Sequence, residues 1–142
     1  LLRFGLDGIS LGSDTLVFTA AGLPTAYATV SVEQGLLTPS ASSPLSIVQG
    51  DSALLVAFVR TPDGYAAQTT TTQTLTATVS DTSLVVIDGA GNTLSAQPSF
   101  ELGAGVTLLQ VWVRGLTPGV GTVTIGGPNF RPLQLTYTVR AP

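Results

Sequence analysis

Apolar and polar residues alternate with a period of two over short stretches of this chain, and no stretch sustains a helical period. The alternation predicts strands. Over 1–6, Leu2, Phe4 and Leu6 share one face, and over 15–20 Leu16 and Phe18 point inward. Over 26–32, Ala26, Ala28, Val30 and Val32 share a face. The segment 37–44 (Leu-Thr-Pro-Ser-Ala-Ser-Ser-Pro) breaks the pattern and reads as a linker. Strands resume at 45–48 and at 52–60, where both faces are apolar, the mark of a central buried strand. Over 69–80, Leu75, Ala77 and Val79 face inward while Thr74, Thr76 and Thr78 face out. Shorter strands are expected at 84–87 and 122–125, and longer ones at 106–114 and 133–140. The stretches 93–98 and 99–102 are weak edge strands. Turn chemistry punctuates the series at Gln49-Gly50-Asp51, at Thr61-Pro62-Asp63-Gly64 and at Asp88-Gly89-Ala90-Gly91-Asn92. The predicted core is Leu55, Ala57, Val59, Leu75, Ala77, Val79, Val111, Val113, Val123, Ile125, Leu135 and Tyr137.

The chain also matches itself. Leu1–Val32 aligns with Leu108–Val139 at an offset of 107 (108 − 1). Leu1, Leu2, Gly8, Gly12, Thr15, Thr29 and Val32 meet identical residues at 108, 109, 115, 119, 122, 136 and 139. Phe4 and Leu6 meet Val111 and Val113, Leu16 and Phe18 meet Val123 and Ile125, and Val30 meets Tyr137. The apolar phase is kept throughout, and a slip of one residue would turn the core face to solvent. Three organisational units follow. Residues 1–32 are the last three strands of a preceding repeat, 33–44 are a linker, and 45–142 are a complete repeat. Three strands with no second sheet cannot bury a core. They are completed by a longer array or by another chain, unless all the strands merge into one enlarged sandwich.

Composition narrows the chemistry. Of the residues, 44% are hydrophobic and only 9% charged, with five Arg, no Lys and eight acids for a net charge of −3. No basic cluster exists for nucleic acid or an anionic membrane surface. Cys, Met and His are absent, which excludes disulfides, zinc–thiolate sites and imidazole catalysis. No apolar run reaches the ~18 residues of a membrane helix. The start at Leu1-Leu2-Arg3 reads as a mature or excised segment.

Two stretches carry a family resemblance. Leu75-Thr-Ala-Thr-Val-Ser-Asp-Thr-Ser-Leu-Val-Val-Ile-Asp-Gly-Ala-Gly-Asn-Thr93 and Val111-Trp-Val-Arg-Gly-Leu-Thr-Pro-Gly-Val-Gly-Thr-Val-Thr-Ile125 resemble the bacterial immunoglobulin-like (Big-type) tandem repeats. The second recurs as Gly8-Ile-Ser-Leu-Gly-Ser-Asp-Thr-Leu-Val-Phe18. The resemblance covers most of 36–142 together with 1–32, and it departs from the family pattern in a longer insertion around 92–105. It implies an all-β, immunoglobulin-like β-sandwich, a partial repeat followed by a complete one. It is specific for fold and uninformative about function, because such repeats serve as spacers, stalks, surface-layer parts and filament subunits.

Candidate chemistry is sparse. The acids are Asp7, Asp14, Glu33, Asp51, Asp63, Asp81, Asp88 and Glu101, most of them at turns where Asp caps its own backbone. Catalytic residues are not expected, and neither is a cofactor. Asp88 and Asn92 are weak calcium candidates, because a calcium site takes six to eight oxygens and this loop lacks a dense acidic spacing. The T-x-T pattern at 74–78 reads as β-propensity on a solvent face, since one strand alone offers it. Trp112 and Leu108 fall on the face opposite Leu109, Val111 and Val113, so Trp112 is an interface candidate.

These readings lead to a non-catalytic structural module of an extracellular or bacterial cell-surface protein. Its expected partners are neighbouring repeats or identical subunits, with no nucleic acid and no membrane insertion. A filament built by strand complementation between subunits is the sharper expectation. The alternative is an adhesin or carbohydrate-binding module with a glycan or surface ligand.

Overall fold

A computed structural model describes residues 3–43 and 45–142. Among these residues eleven strands form and no helix does. They are β1 (Gly12–Phe18), β2 (Ala26–Val32), β3 (Leu36–Pro39), β4 (Leu45–Val48), β5 (Ser52–Arg60), β6 (Gln73–Val79), β7 (Leu84–Ile87), β8 (Ser99–Leu102), β9 (Leu108–Gly115), β10 (Gly119–Gly127) and β11 (Phe130–Arg140). The chain divides into two units, 1–34 and 35–142.

The second unit is a two-sheet sandwich of the immunoglobulin-like class. One sheet runs β4-β11-β10-β6-β8 and the other β3-β5-β9-β7. Period-two alternation places Leu55, Ala57 and Val59 of β5 and Leu109, Val111 and Val113 of β9 against Val123 and Ile125 of β10 and Leu135, Tyr137 and Val139 of β11. All are buried in one cluster. Burying this continuous apolar layer is the main favourable term for the fold. Eleven of the twelve predicted core residues are buried, and Val79 is half-buried. The core also takes Leu37, Ile47, Leu84, Val86, Leu102 and Phe130. The first five come from four-residue strands whose alternation is too brief to read, and Phe130 opens β11 ahead of the stretch 133–140 that the pattern predicts.

Three further expectations are corrected. The presumed linker 33–44 contains β3, which pairs with β5 from Leu36↔Arg60 to Pro39↔Ala57. β3 lies at a sheet edge, where Pro39 needs no amide on its open side. The strand expected over 69–80 begins only at Gln73. Thr69 is buried and acts as a staple. Its Oγ1 donates to Gly103 O at 2.5 Å and accepts from Val106 N at 3.2 Å, fixing the turn into β9. The long segment after Asn92 carries the chain from one sheet to the other. Thr93 only bridges to Ile87, and β8 then adds to β6.

The first unit is a single hairpin. β1 and β2 form a sheet of their own, with seven pairs from Gly12↔Val32 to Phe18↔Ala26. The strand expected over 1–6 does not form within the described residues, and Leu1 and Leu2 lie outside them. The physical reason is pairing. The matching strand β9 is held between β5 and β7, and among the described residues no such strands flank 3–8.

Candidate interaction surfaces

β5 is central, as its composition predicts, but only one of its faces is covered. Leu54, Val56 and Phe58 point away from the core, with Leu54 36% exposed. Their cross-strand partners on β9 are Trp112, Gln110 and Leu108. Trp112 stands between Leu54 of β5 and Ile87 of β7 and is 38% exposed. Ile87 is buried yet lies outside the main core cluster, paired across the sheet with Trp112 on one side and bridged to Thr93 on the other. Leu108 is half-buried opposite Phe58. The Arg60 guanidinium sits 5.6 Å from the Phe58 ring centroid. The Arg114 Nε donates to Ser52 Oγ at 3.3 Å beside the Trp112 row. The outer face of the four-stranded sheet is thus an apolar stripe with arginines along it. Sequence reasoning found Trp112 and Leu108 but missed Leu54, Phe58 and Ile87. The signal was present, because a strand apolar on both faces has to leave one face outward in a two-sheet sandwich.

The calcium candidates are committed elsewhere. Asp88 Oδ1 accepts from Ala90 N at 2.9 Å and Asn92 N at 2.8 Å, and Oδ2 accepts from Asn92 Nδ2 at 2.9 Å. These bonds, the Asn92 side chain first, hold the Asp88 carboxyl below the usual carboxylate range. The turn closes through Asp88 N to Asn92 O, and Gly91 takes φ +90°. Among the described residues no cluster of three or more acids assembles.

The threonine pattern is broader than the sequence suggested. Thr74, Thr76 and Thr78 of β6 are joined on one outer face by Thr122 and Thr124 of β10 and by Thr136 and Thr138 of β11. Thr78 pairs with Thr124, and Thr122 with Thr136. Sheets twist by roughly 20–25° per strand, so such rows do not form a flat lattice. They read as a solvated face of high β-propensity.

The hairpin of the first unit exposes apolar side chains. Leu23 is 69% exposed, Val17 and Tyr27 form an exposed cross-strand pair, and the Phe4 and Phe18 rings stand 5.4 Å apart. An open concavity at its tip is lined by Val17, Phe18, Leu23 and Pro24 among others.

No protein-family model matches the chain, and no curated protein matches it significantly. Solved structures do share the fold. Domains 4–9 of the surface layer protein SbsC superpose with a TM-score of 0.55 at 18% identity, over 94% of this chain and 19% of that one. A β-glycosidase from Bacteroides vulgatus superposes with a TM-score of 0.54 at 14% identity, over 92% of this chain and 18% of that one. For SbsC domains 4 and 5 the TM-score is 0.50 at 19% identity, over 89% of this chain and 65% of that one. The chain therefore spans less than two thirds of each. These likenesses place it among all-β, immunoglobulin-like sandwiches.

Proposed function

We propose that this chain is a non-catalytic structural module of tandem immunoglobulin-like repeats in an extracellular or cell-surface bacterial protein. The observation that carries the reading is the repeat itself. The β1–β2 hairpin reproduces the register of β10–β11 at the offset of 107, from Gly12↔Val32 matching Gly119↔Val139 to Phe18↔Ala26 matching Ile125↔Leu133. Repeats in series set distance and resist unfolding by stacking and strand pairing. The surface-layer neighbours are compatible with that use, and sandwiches of this class also occur within glycosidases. The polar side chains fit the same reading, because Asp88, the Asn92 amide group and the Thr69 hydroxyl make hydrogen bonds that hold turns.

In this reading the Trp112 face meets a neighbouring repeat or subunit. Light scattering and negative-stain microscopy of the 142-residue chain test the finer alternatives. Filaments that vanish on Trp112→Ser establish a polymer subunit, whereas a monomer establishes a spacer repeat. A glycan-binding screen tests the binding-module alternative, in which Trp112 and Phe58 on their common face serve as the platform. Saturable glycan binding lost in Trp112→Ser would overturn the structural reading.

A further inference from the structure

Among the described residues both edges of the first unit's hairpin lack a neighbouring strand, and Leu16, Phe18, Val30 and Val32, which match the core face of β10–β11, are only half-buried. The second unit displays what covers such a hairpin. There β10 and β11 are flanked on one side by β6, antiparallel along Val123–Gly126, and on the other by β4, parallel along Tyr137–Arg140. The correspondence extends beyond backbone register. A Cβ on Gly115 would meet Val139 Cγ1 at 2.8 Å, and one on the matching Gly8 would meet Val32 Cγ1 at 3.0 Å. The same glycine–valine approach is therefore built twice. Leu23 matches Phe130, which is 6% exposed in the complete repeat, whereas Leu23 is 69% exposed.

We propose, on the reading of the chain as a tandem repeat, that the β1–β2 hairpin is a docking element for the rest of an immunoglobulin-like repeat immediately N-terminal to it. That partner supplies a β6-like strand antiparallel to residues 16–19 and a β4-like strand parallel to residues 30–33. It also supplies the β5- and β7-like neighbours between which residues 3–8 become a β9-like strand. Phe4 and Leu6, both over half exposed, then occupy the places of Val111 and Val113.

A second copy of this chain is the wrong partner, for two reasons. Its β4 and β6 already hold β11 and β10. The hairpin is also shaped against substituting for β10–β11. Asp14 stands where Gly121 does, and a Cβ at Gly121 would meet Leu84 Cδ1 and Ser83 Oγ, each at 2.8 Å. Ala20 stands where Gly127 does, and a Cβ there would meet the Thr74 carbonyl oxygen at 2.8 Å. Residues that a swap needs as glycine carry side chains, and the Thr74 oxygen, being backbone, cannot turn aside, which disfavours completion by an identical subunit.

Amide hydrogen exchange on the 142-residue chain and on two fusions tests this. Each fusion places a copy of residues 35–107 ahead of Leu1. One keeps the natural hairpin, and the other carries Asp14→Gly and Ala20→Gly. In the chain alone, the amides of Leu16, Phe18, Val30 and Val32 are expected to exchange about 100-fold or more faster than those of Val123, Ile125, Tyr137 and Val139. In the glycine fusion they slow to the level of β10–β11 in a monomer, and in the natural fusion they slow less. Slow hairpin exchange in the chain alone overturns the proposal, whether the chain is monomeric or oligomeric. So does a glycine fusion whose β10–β11 amides are protected while its hairpin amides are not. Glycan binding by the same chain would remove the structural reading without touching this result.

Discussion

The packing of Gly121 against Leu84 makes a quantitative prediction. Leu84 is 2% exposed, and its Cδ1 lies 2.8 Å from where a Cβ on Gly121 would stand. Leu84→Ala removes a fully buried side chain and is expected to cost about 3 kcal/mol, within the 2–5 kcal/mol range for such truncations. Gly121→Ala forces a methyl into the same space at about 1–3 kcal/mol, offset by about 0.5 kcal/mol from the reduced freedom of the unfolded chain. The double variant relieves the leucine part of the overlap, because the branch that the added methyl would strike is gone, and leaves the Ser83 Oγ contact at 2.8 Å. Its cost should fall short of the sum by about 1–2 kcal/mol. Urea unfolding of all four proteins, followed by far-UV circular dichroism, measures the cycle. Additivity within about 0.5 kcal/mol would show that the close approach does not govern this site, and Asp14 would then be no bar to a swap.

Thr69→Val should destabilise the second unit by about 1 kcal/mol, since it removes both bonds of the Thr69 hydroxyl and leaves the Gly103 carbonyl and the Val106 amide only their mutual 3.3 Å bond; thermal unfolding reads this, and an unchanged midpoint refutes the staple. Trp112→Ser should cost the isolated chain about 1–2 kcal/mol by uncovering Ile87, and should abolish any assembly through the outer face, read by light scattering. The Asp88 carboxyl is lowered in the folded state, so its contribution is present above the unfolded carboxyl range and fades as pH falls through the lower folded value. Asp88→Ala should therefore flatten the acid limb of the stability profile, and an unaltered limb would dismiss the turn as its source. Calcium should leave the melting temperature unchanged, because both Asp88 oxygens already accept bonds within the turn and no cluster of three acids assembles among the described residues. A rise of several degrees with millimolar calcium would contradict that assignment.

The hydrophobic alternation by itself determined most of the strands, most of the core and the self-match of the chain. Ala57, Val111 and Ile125 declare their inward face because a strand's side chains change sides at every residue. The offset of 107 could be read from glycines and apolar phase alone. Tertiary structure decided what depends on neighbours rather than on local pattern. Leu36–Pro39 looks like a linker and becomes a strand because β5 offers it an edge. The strand read over 1–6 is absent from its described part, residues 3–6, because no described strand stands beside them to take their backbone hydrogen bonds. The outward apolar face of β5, read as buried, is open because a two-layer sandwich covers each sheet only once. Trp112 was placed off the core by phase, but its setting over Ile87 and beside Leu54 follows from the β5-β9-β7 order, which no local pattern encodes.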